Sequence, residues 1–210
     1  MLNVVAVAVA SGELDSISEK REALTGLPFL LALFGVVGVA GEFRHRTAAP
    51  AALAAGNERV RLLLARAGVY AATGLGITAA MTAASLALGL PLLADHPGPD
   101  LGVGDVAAVA SANLGAGLLF VIMGVALGAL VRNQVAGVVA LLMLNFVLNP
   151  LLSKADEAVG NLTPFGAAQV LTGMTHDTTL SIGAAALVLA AWTAPLLVVA
   201  IASDRRRDLA

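Results

Sequence analysis

Between two apolar runs, residues 23–41 and 67–93, the chain carries one long polar insert. It begins Glu42-Phe43-Arg44-His45-Arg46-Thr47 and continues through Glu58, Arg59 and Arg61 to Arg66. Each flanking run can cross a bilayer, since a helix needs about 20 apolar residues to span the hydrocarbon. The insert must then lie at a membrane surface. Arginines in short loops collect on the cytoplasmic side, so residues 42–66 are expected to form a cytoplasmic interface segment. Composition agrees with a membrane setting. Hydrophobic residues make up 59% of the chain and charged residues only 12%, against about 25% charged in soluble domains.

Several chemistries are excluded by the same reading. The absence of cysteine removes disulfides, thiolate metal sites and cysteine nucleophiles. The only lysines are Lys20 and Lys154, and neither has the glycines or the hydroxyl of a phosphate-binding loop. His45, His96 and His176 stand apart, without paired ligand spacing. No catalytic constellation, metal site or cofactor site is expected in the chain, and nothing in it calls for nucleic acid.

The expected fold is all-α, a polytopic bundle of five full membrane helices and a partial first one. Residues 1–10 are apolar but give only half a span, so they are expected to be the end of a helix that starts upstream. Spans follow at 23–41, 67–93, 106–131, 135–152 and 179–202. Pro91 and the loop at 95–100 end the third. Gly35, Gly38 and Gly41 mark a close-packing face, as do Gly124 and Gly128 four residues apart. The turn Arg132-Asn133-Gln134 is so short that the fifth span must return antiparallel beside the fourth. Residues 153–178 are too polar to span and too apolar for a free loop, which suits an external re-entrant hairpin of short helices. Residues 203–210 form a basic tail. Arg44, Arg46, Arg59, Arg61, Arg66, Arg132, Arg205, Arg206 and Arg207 fall on one side in this scheme. That places the C-terminus in the cytoplasm.

No ionisable residue falls in the middle of a span, and ion-coupled carriers usually need one. Uncharged polar residues remain: Thr73, Thr78, Thr82, Asn113, Asn145 and Asn149. They either make ordinary interhelical hydrogen bonds, each contributing about 1 kcal/mol or less, or line a path for an amphipathic solute. Asn145 and Asn149 sit one helical turn apart on one face. Glu42, flanked by arginines, either pairs locally or accepts donors from a partner.

Four stretches resemble the permease subunits of ABC-2 type transporters, of the actinobacterial kind. They are Gly41-Glu42-Phe43-Arg44-His45-Arg46-Thr47, Arg132-Asn133-Gln134-Val135-Ala136, Pro164-Phe165-Gly166-Ala167-Ala168-Gln169 and Arg205-Arg206-Arg207-Asp208. The resemblance implies a six-helix membrane half that pairs with a second copy or a sister permease. It also implies a separate cytoplasmic ABC ATPase, carrying ATP and Mg, docked on a coupling helix within 42–66. Glu42, Phe43, Arg44, Arg46 and Arg59 would take the coupling role. Thr78, Thr82, Asn113, Asn145 and Asn149 are the candidates for a substrate pathway in an exporter. A membrane scaffold or immunity factor without transport, and more distantly a secondary carrier, are the alternative readings.

Overall fold

The computed structural model describes residues 16–26, 28–45, 59–94, 98–174 and 180–206, with the side chains at 59 and 204–206 left aside. The partial first span at 1–10, residues 46–58 of the coupling segment expected over 42–66 (Arg46 among them), residues 175–179 and the tail from 207 lie outside the described residues. Every element among those described is helical.

The short helix α1, Ile17–Ala23, starts at Ser16. The Ser16 hydroxyl accepts from the Glu19 N–H, and the Glu19 carboxylate accepts from the Ser16 N–H in return, so two otherwise unmet donors are satisfied. Thr25, Gly26 and Pro28 then interrupt the helical path. Helix α2, Phe29–Arg44, opens after Pro28, whose fixed φ suits a first turn. Helix α3 is Arg59–Ala94 and α4 is Val103–Val131. Arg132, in the left-handed region at φ 52°, turns the chain sharply. Asn133 starts α5, Gln134–Met143, by accepting the Ala136 N–H at 3.1 Å. A π-helical turn, Leu144–Leu148, leads into α6, Asn149–Ala155. Then come α7, Glu157–Asn161, α8, Pro164–Thr172, and α9, Ile182–Arg206.

Helix α4 is the hub, packed against α2, α3, α8 and α9. Small residues let α2 lie on it backbone to backbone. A β-carbon on Gly35 would come 2.6 Å from the Val121 carbonyl oxygen, and one on Gly128 would come 3.0 Å from that of Val36. One on Gly124 would collide with the Ala32 carbonyl. In a bilayer, where lipid tails are as apolar as the helices, such close packing is a principal source of helix association. Phe120 and Phe165 meet at 5.1 Å between ring centroids, and Phe29 touches both Phe165 and Phe146, so α8 is held into the same core.

Four helical stretches are long and apolar enough to cross a membrane: Val60–Ala94, Val103–Val131, Gln134–Ala155 and Ile182–Ser203. Their outer faces carry bare apolar side chains such as Val69, Val135, Phe146, Leu187 and Val198. In water a patch of this extent would be an interaction surface; in a bilayer it is the ordinary exterior.

Helix boundaries differ from the apolar runs in physically informative ways. The run at 23–41 corresponds to a helix displaced to Phe29–Arg44, because the break at Thr25–Pro28 cuts off its first residues. At 16 residues α2 is about 24 Å long, short of the hydrocarbon thickness on its own. Helix α3 begins inside the basic segment and runs through Pro91 to Ala94. A proline so near a helix end frees only the carbonyl four residues before it, here that of exposed Ala87. Gly35 faces α4, Gly38 faces the Tyr70 ring of α3, and nothing lies within 4 Å of a β-carbon on Gly41. Three-residue steps drift by about 60° each around a helix, so these glycines do not share one face.

Candidate functional site

Helix α4 sets the electrostatic layout, because charged groups gather at its two ends. At its N-terminal end Arg21 donates to Asp105 through both Nε, at 3.1 Å, and Nη2. The Asp105 carboxylate also accepts the Gly102 N–H at 2.8 Å. Arg132 closes the opposite end. The C-terminal turn of α2 and the N-terminal turns of α3 arrive there, carrying Glu42, Phe43, Arg44, Arg61 and Arg66.

At this arginine-rich end Glu42 Oε2 and Arg66 Nη2 form an ion pair at 2.5 Å, with side-chain exposures of 26% and 13%. Little water reaches the pair, so its attraction is screened far less than that of a surface pair. The pairing joins α2 to α3 across 24 residues of sequence, a partner that neighbouring residues cannot reveal. Arg132 lies over the Phe43 ring, 5.0 Å from guanidinium carbon to centroid, a cation–π contact joining the end of α2 to the α4–α5 turn. Exposed Arg44 reaches Gln134 Oε1 at 3.5 Å. Three of the expected coupling residues, Glu42, Phe43 and Arg44, therefore sit on one braced platform. Arg59 heads α3, and Arg46 lies outside the described residues. Arg66, Arg132 and Gln134 are members of this platform to which the sequence reading gave no coupling role. The Arg132-Asn133-Gln134 turn was legible as a tight connection and as one of the resembling stretches, but its contact with Phe43 and Arg44 was not.

The expected pathway residues divide. Thr78, Thr82 and Asn113 line one cavity of about 280 Å³ between α2, α3 and α4. Its inner wall includes the non-helical backbone at Leu24–Gly26 together with Ser85, Ala116 and Thr172. Asn113 is the main brace. Its Oδ1 accepts the Gly26 N–H at 3.1 Å, and its Nδ2 donates to the Leu24 carbonyl and to Thr82 Oγ1, both at 3.4 Å. Ser85 donates to the same carbonyl, and Thr25 donates to the Thr172 carbonyl. Irregular backbone is tolerated at membrane depth only where protein groups satisfy it; Asn113, Ser85 and Thr25 do so here. Asn113→Ala should therefore destabilise the bundle by about 1–3 kcal/mol, the cost of leaving buried polar groups unmet. Denaturant unfolding in detergent micelles checks this, with Asn145→Ala as the milder comparison. Equal losses from the two would remove the bracing role.

Asn149 belongs elsewhere. Its Oδ1 accepts from the Thr163 hydroxyl at 2.6 Å, and that hydroxyl in turn accepts the Gly166 N–H, fixing the start of α8. Asn145 is half-buried in the π-helical turn and Thr73 is exposed. Neither lines the cavity. Hence the shared face expected for Asn145 and Asn149 does not make a common site. Trp192 Nε1 donates to the Leu162 carbonyl at 2.9 Å and ties α9 to the short helices. Among the described residues no group of three metal-ligating side chains occurs.

An apolar exterior around a core bridged by small and uncharged polar residues defines a helical membrane protein. No family model, curated protein or solved structure matches the chain.

Proposed function

We propose that the chain is the membrane-spanning permease subunit of an ATP-driven exporter, of the kind its four sequence stretches resemble. The single observation that best supports this is the platform at the arginine-rich end. Two of the resembling stretches, around Glu42-Phe43-Arg44 and Arg132-Asn133-Gln134, are far apart in sequence and touch through the Arg132–Phe43 and Arg44–Gln134 contacts. An arginine-rich end belongs on the cytoplasmic side by the distribution of basic residues in membrane proteins, where a separate ATPase would bind. Force applied to the segment between Arg44 and Arg59 would enter α2 and α3 together, because Glu42 and Arg66 pair them. From there it would reach α4 through the backbone contact at Gly35 and Gly124. Such a scheme needs two arrangements of the bundle, each contacted differently by the ATPase.

Arg44 gives the sharpest test, because its side chain is exposed and carries little packing. Reversal of its charge (Arg44→Glu) should leave expression and unfolding midpoint near wild type, since exposed substitutions stay within about 0.5 kcal/mol. ATPase co-purification and ATP-driven export should each fall about tenfold. The reading fails if a co-expressed ABC ATPase from the same operon never purifies with the wild-type chain.

A further inference from the structure

The cavity between α2, α3 and α4 has a lining that selects a ligand, and we infer that it binds the hydroxyl end of an uncharged amphiphile taken sideways from the bilayer. This goes beyond the exporter reading, because binding is a property of the chain alone. Three features carry it. The first is the mouth. Leu30 on α2 and Ile77 and Met81 on α3 rim it, exposed at 58%, 43% and 50%. These apolar side chains lie on the flank of the bundle, where hydrocarbon would surround them, so a ligand arrives from the membrane.

The second feature is charge. No Asp, Glu, Lys or Arg lines the cavity. An ion entering it would lose its hydration without gaining a counter-charge, which costs several kcal/mol. The ligand portion inside is therefore neutral.

The third is the state of the polar wall, whose six polar residues, Thr25, Thr78, Thr82, Ser85, Asn113 and Thr172, are all more than nine-tenths buried. Thr78 donates to the Gly74 carbonyl at 2.7 Å, Ser85 to Leu24, Thr25 to Thr172, and Thr172 to the Ala168 carbonyl at 2.7 Å. Both amide protons of Asn113 are committed, to Leu24 and to Thr82. Thr25, Thr78, Ser85 and Thr172 keep lone pairs after donating their one proton, and Thr82, which accepts from Asn113, keeps its own proton as a donor. The wall thus offers acceptors in excess of donors. A ligand that brings an O–H can donate to these lone pairs and accept from Thr82 as well; one that brings only an ether or ester oxygen can do no more than accept. The volume of about 280 Å³ exceeds the roughly 150 Å³ of a cavity that admits benzene, which leaves room for a small alcohol.

The experiment uses the full chain in phosphatidylcholine vesicles, labelled with a diazirine-bearing octanol. Two competitors of identical formula are compared at equal membrane concentration: 1-octanol and heptyl methyl ether. Label is expected on Leu30, Ile77 and Met81, displaced about fivefold more effectively by the alcohol, the ratio one net hydrogen bond gives. Thr78→Val, which keeps the shape and removes an acceptor, should shrink that ratio, and Ala116→Leu should block labelling by filling the cavity. Label spread evenly over outer residues such as Phe146 and Val198, or equal displacement by the two competitors, overturns the inference. The competitor comparison on the unaltered chain decides the matter even if Ala116→Leu does not fold. No ATPase is present, so the result is independent of the exporter reading.

Discussion

Gly124→Ala is expected to cost the bundle about 3 kcal/mol or more, although it adds a single methyl group. The new carbon would meet the carbonyl of Ala32, a backbone atom that cannot rotate away, so α2 must lift off α4. Overpacking a well-filled core already costs about 1–3 kcal/mol when side chains can adjust. Here the contact also anchors Gly35 and Gly128, and all three lose their fit together. The same substitution nine residues earlier, Gly115→Ala, meets nothing within 4 Å. It should be neutral or stabilise by up to about 1 kcal/mol through helix propensity. Unfolding in mixed detergent micelles compares the two on one helix. A Gly124→Ala protein as stable as Gly115→Ala would mean that α2 and α4 are not in backbone contact.

Reversing either partner of the Glu42–Arg66 pair should be nearly as damaging, and reversing both should restore much of the loss. Arg66→Glu alone sets two carboxylates at the junction of α2 and α3, with Arg66 only 13% exposed. Breaking a fully buried pair costs about 3–5 kcal/mol; the partial exposure of Glu42 places this one nearer 2–3 kcal/mol. Glu42→Arg should behave alike. The double variant, Glu42→Arg with Arg66→Glu, returns opposite charges to the same places and should recover most of the stability. A double-mutant cycle on unfolding free energies measures the coupling, and a coupling near zero would show the pair to be incidental. On the exporter reading, the double variant keeps a stable fold but presents altered charge at the arginine-rich end. Its ATP-driven export should then stay low while its stability returns.

These residues show how much a sequence like this discloses. Apolar length and the clustering of arginines were sufficient to read an all-helical membrane chain, and the small-residue pair Gly124 and Gly128 announced a close crossing. Thr78, Thr82 and Asn113 were legible as polar residues in apolar runs, and they do share a cavity. What was hidden depends on contacts between distant residues. Nothing near Glu42 indicates Arg66 as its partner, and nothing near Asn113 indicates that it braces the backbone at Leu24 and Gly26, 87 residues away at the closest bond. Boundaries slipped where backbone chemistry overrode hydrophobicity. Leu24 is as apolar as any core residue, yet the Thr25–Pro28 break excludes it from α2. Asn145 and Asn149 looked equivalent by spacing, but Asn149 is the one whose amide oxygen accepts from a hydroxyl, that of Thr163.

The π-helical turn at Leu144–Leu148 bears on how this chain can change in length. The N–H of Asn149 bonds back to Leu144, five residues away, so the turn holds one residue more than an α-helix would. It lies just before Pro150, whose ring would press on the Phe146 carbonyl in a regular helix. A relative that lacks one residue here could close the turn into ordinary α-helix and keep Asn149 aimed at Thr163, provided the proline were also exchanged. The same loss within α4 would rotate everything beyond it by about 100° and pull Gly128 off α2. Length variation among sequences of this kind should accordingly collect between Leu144 and Pro150 and be excluded from the glycine-bearing stretch of α4, so that gaps in an alignment would trace the mechanical anatomy of the bundle.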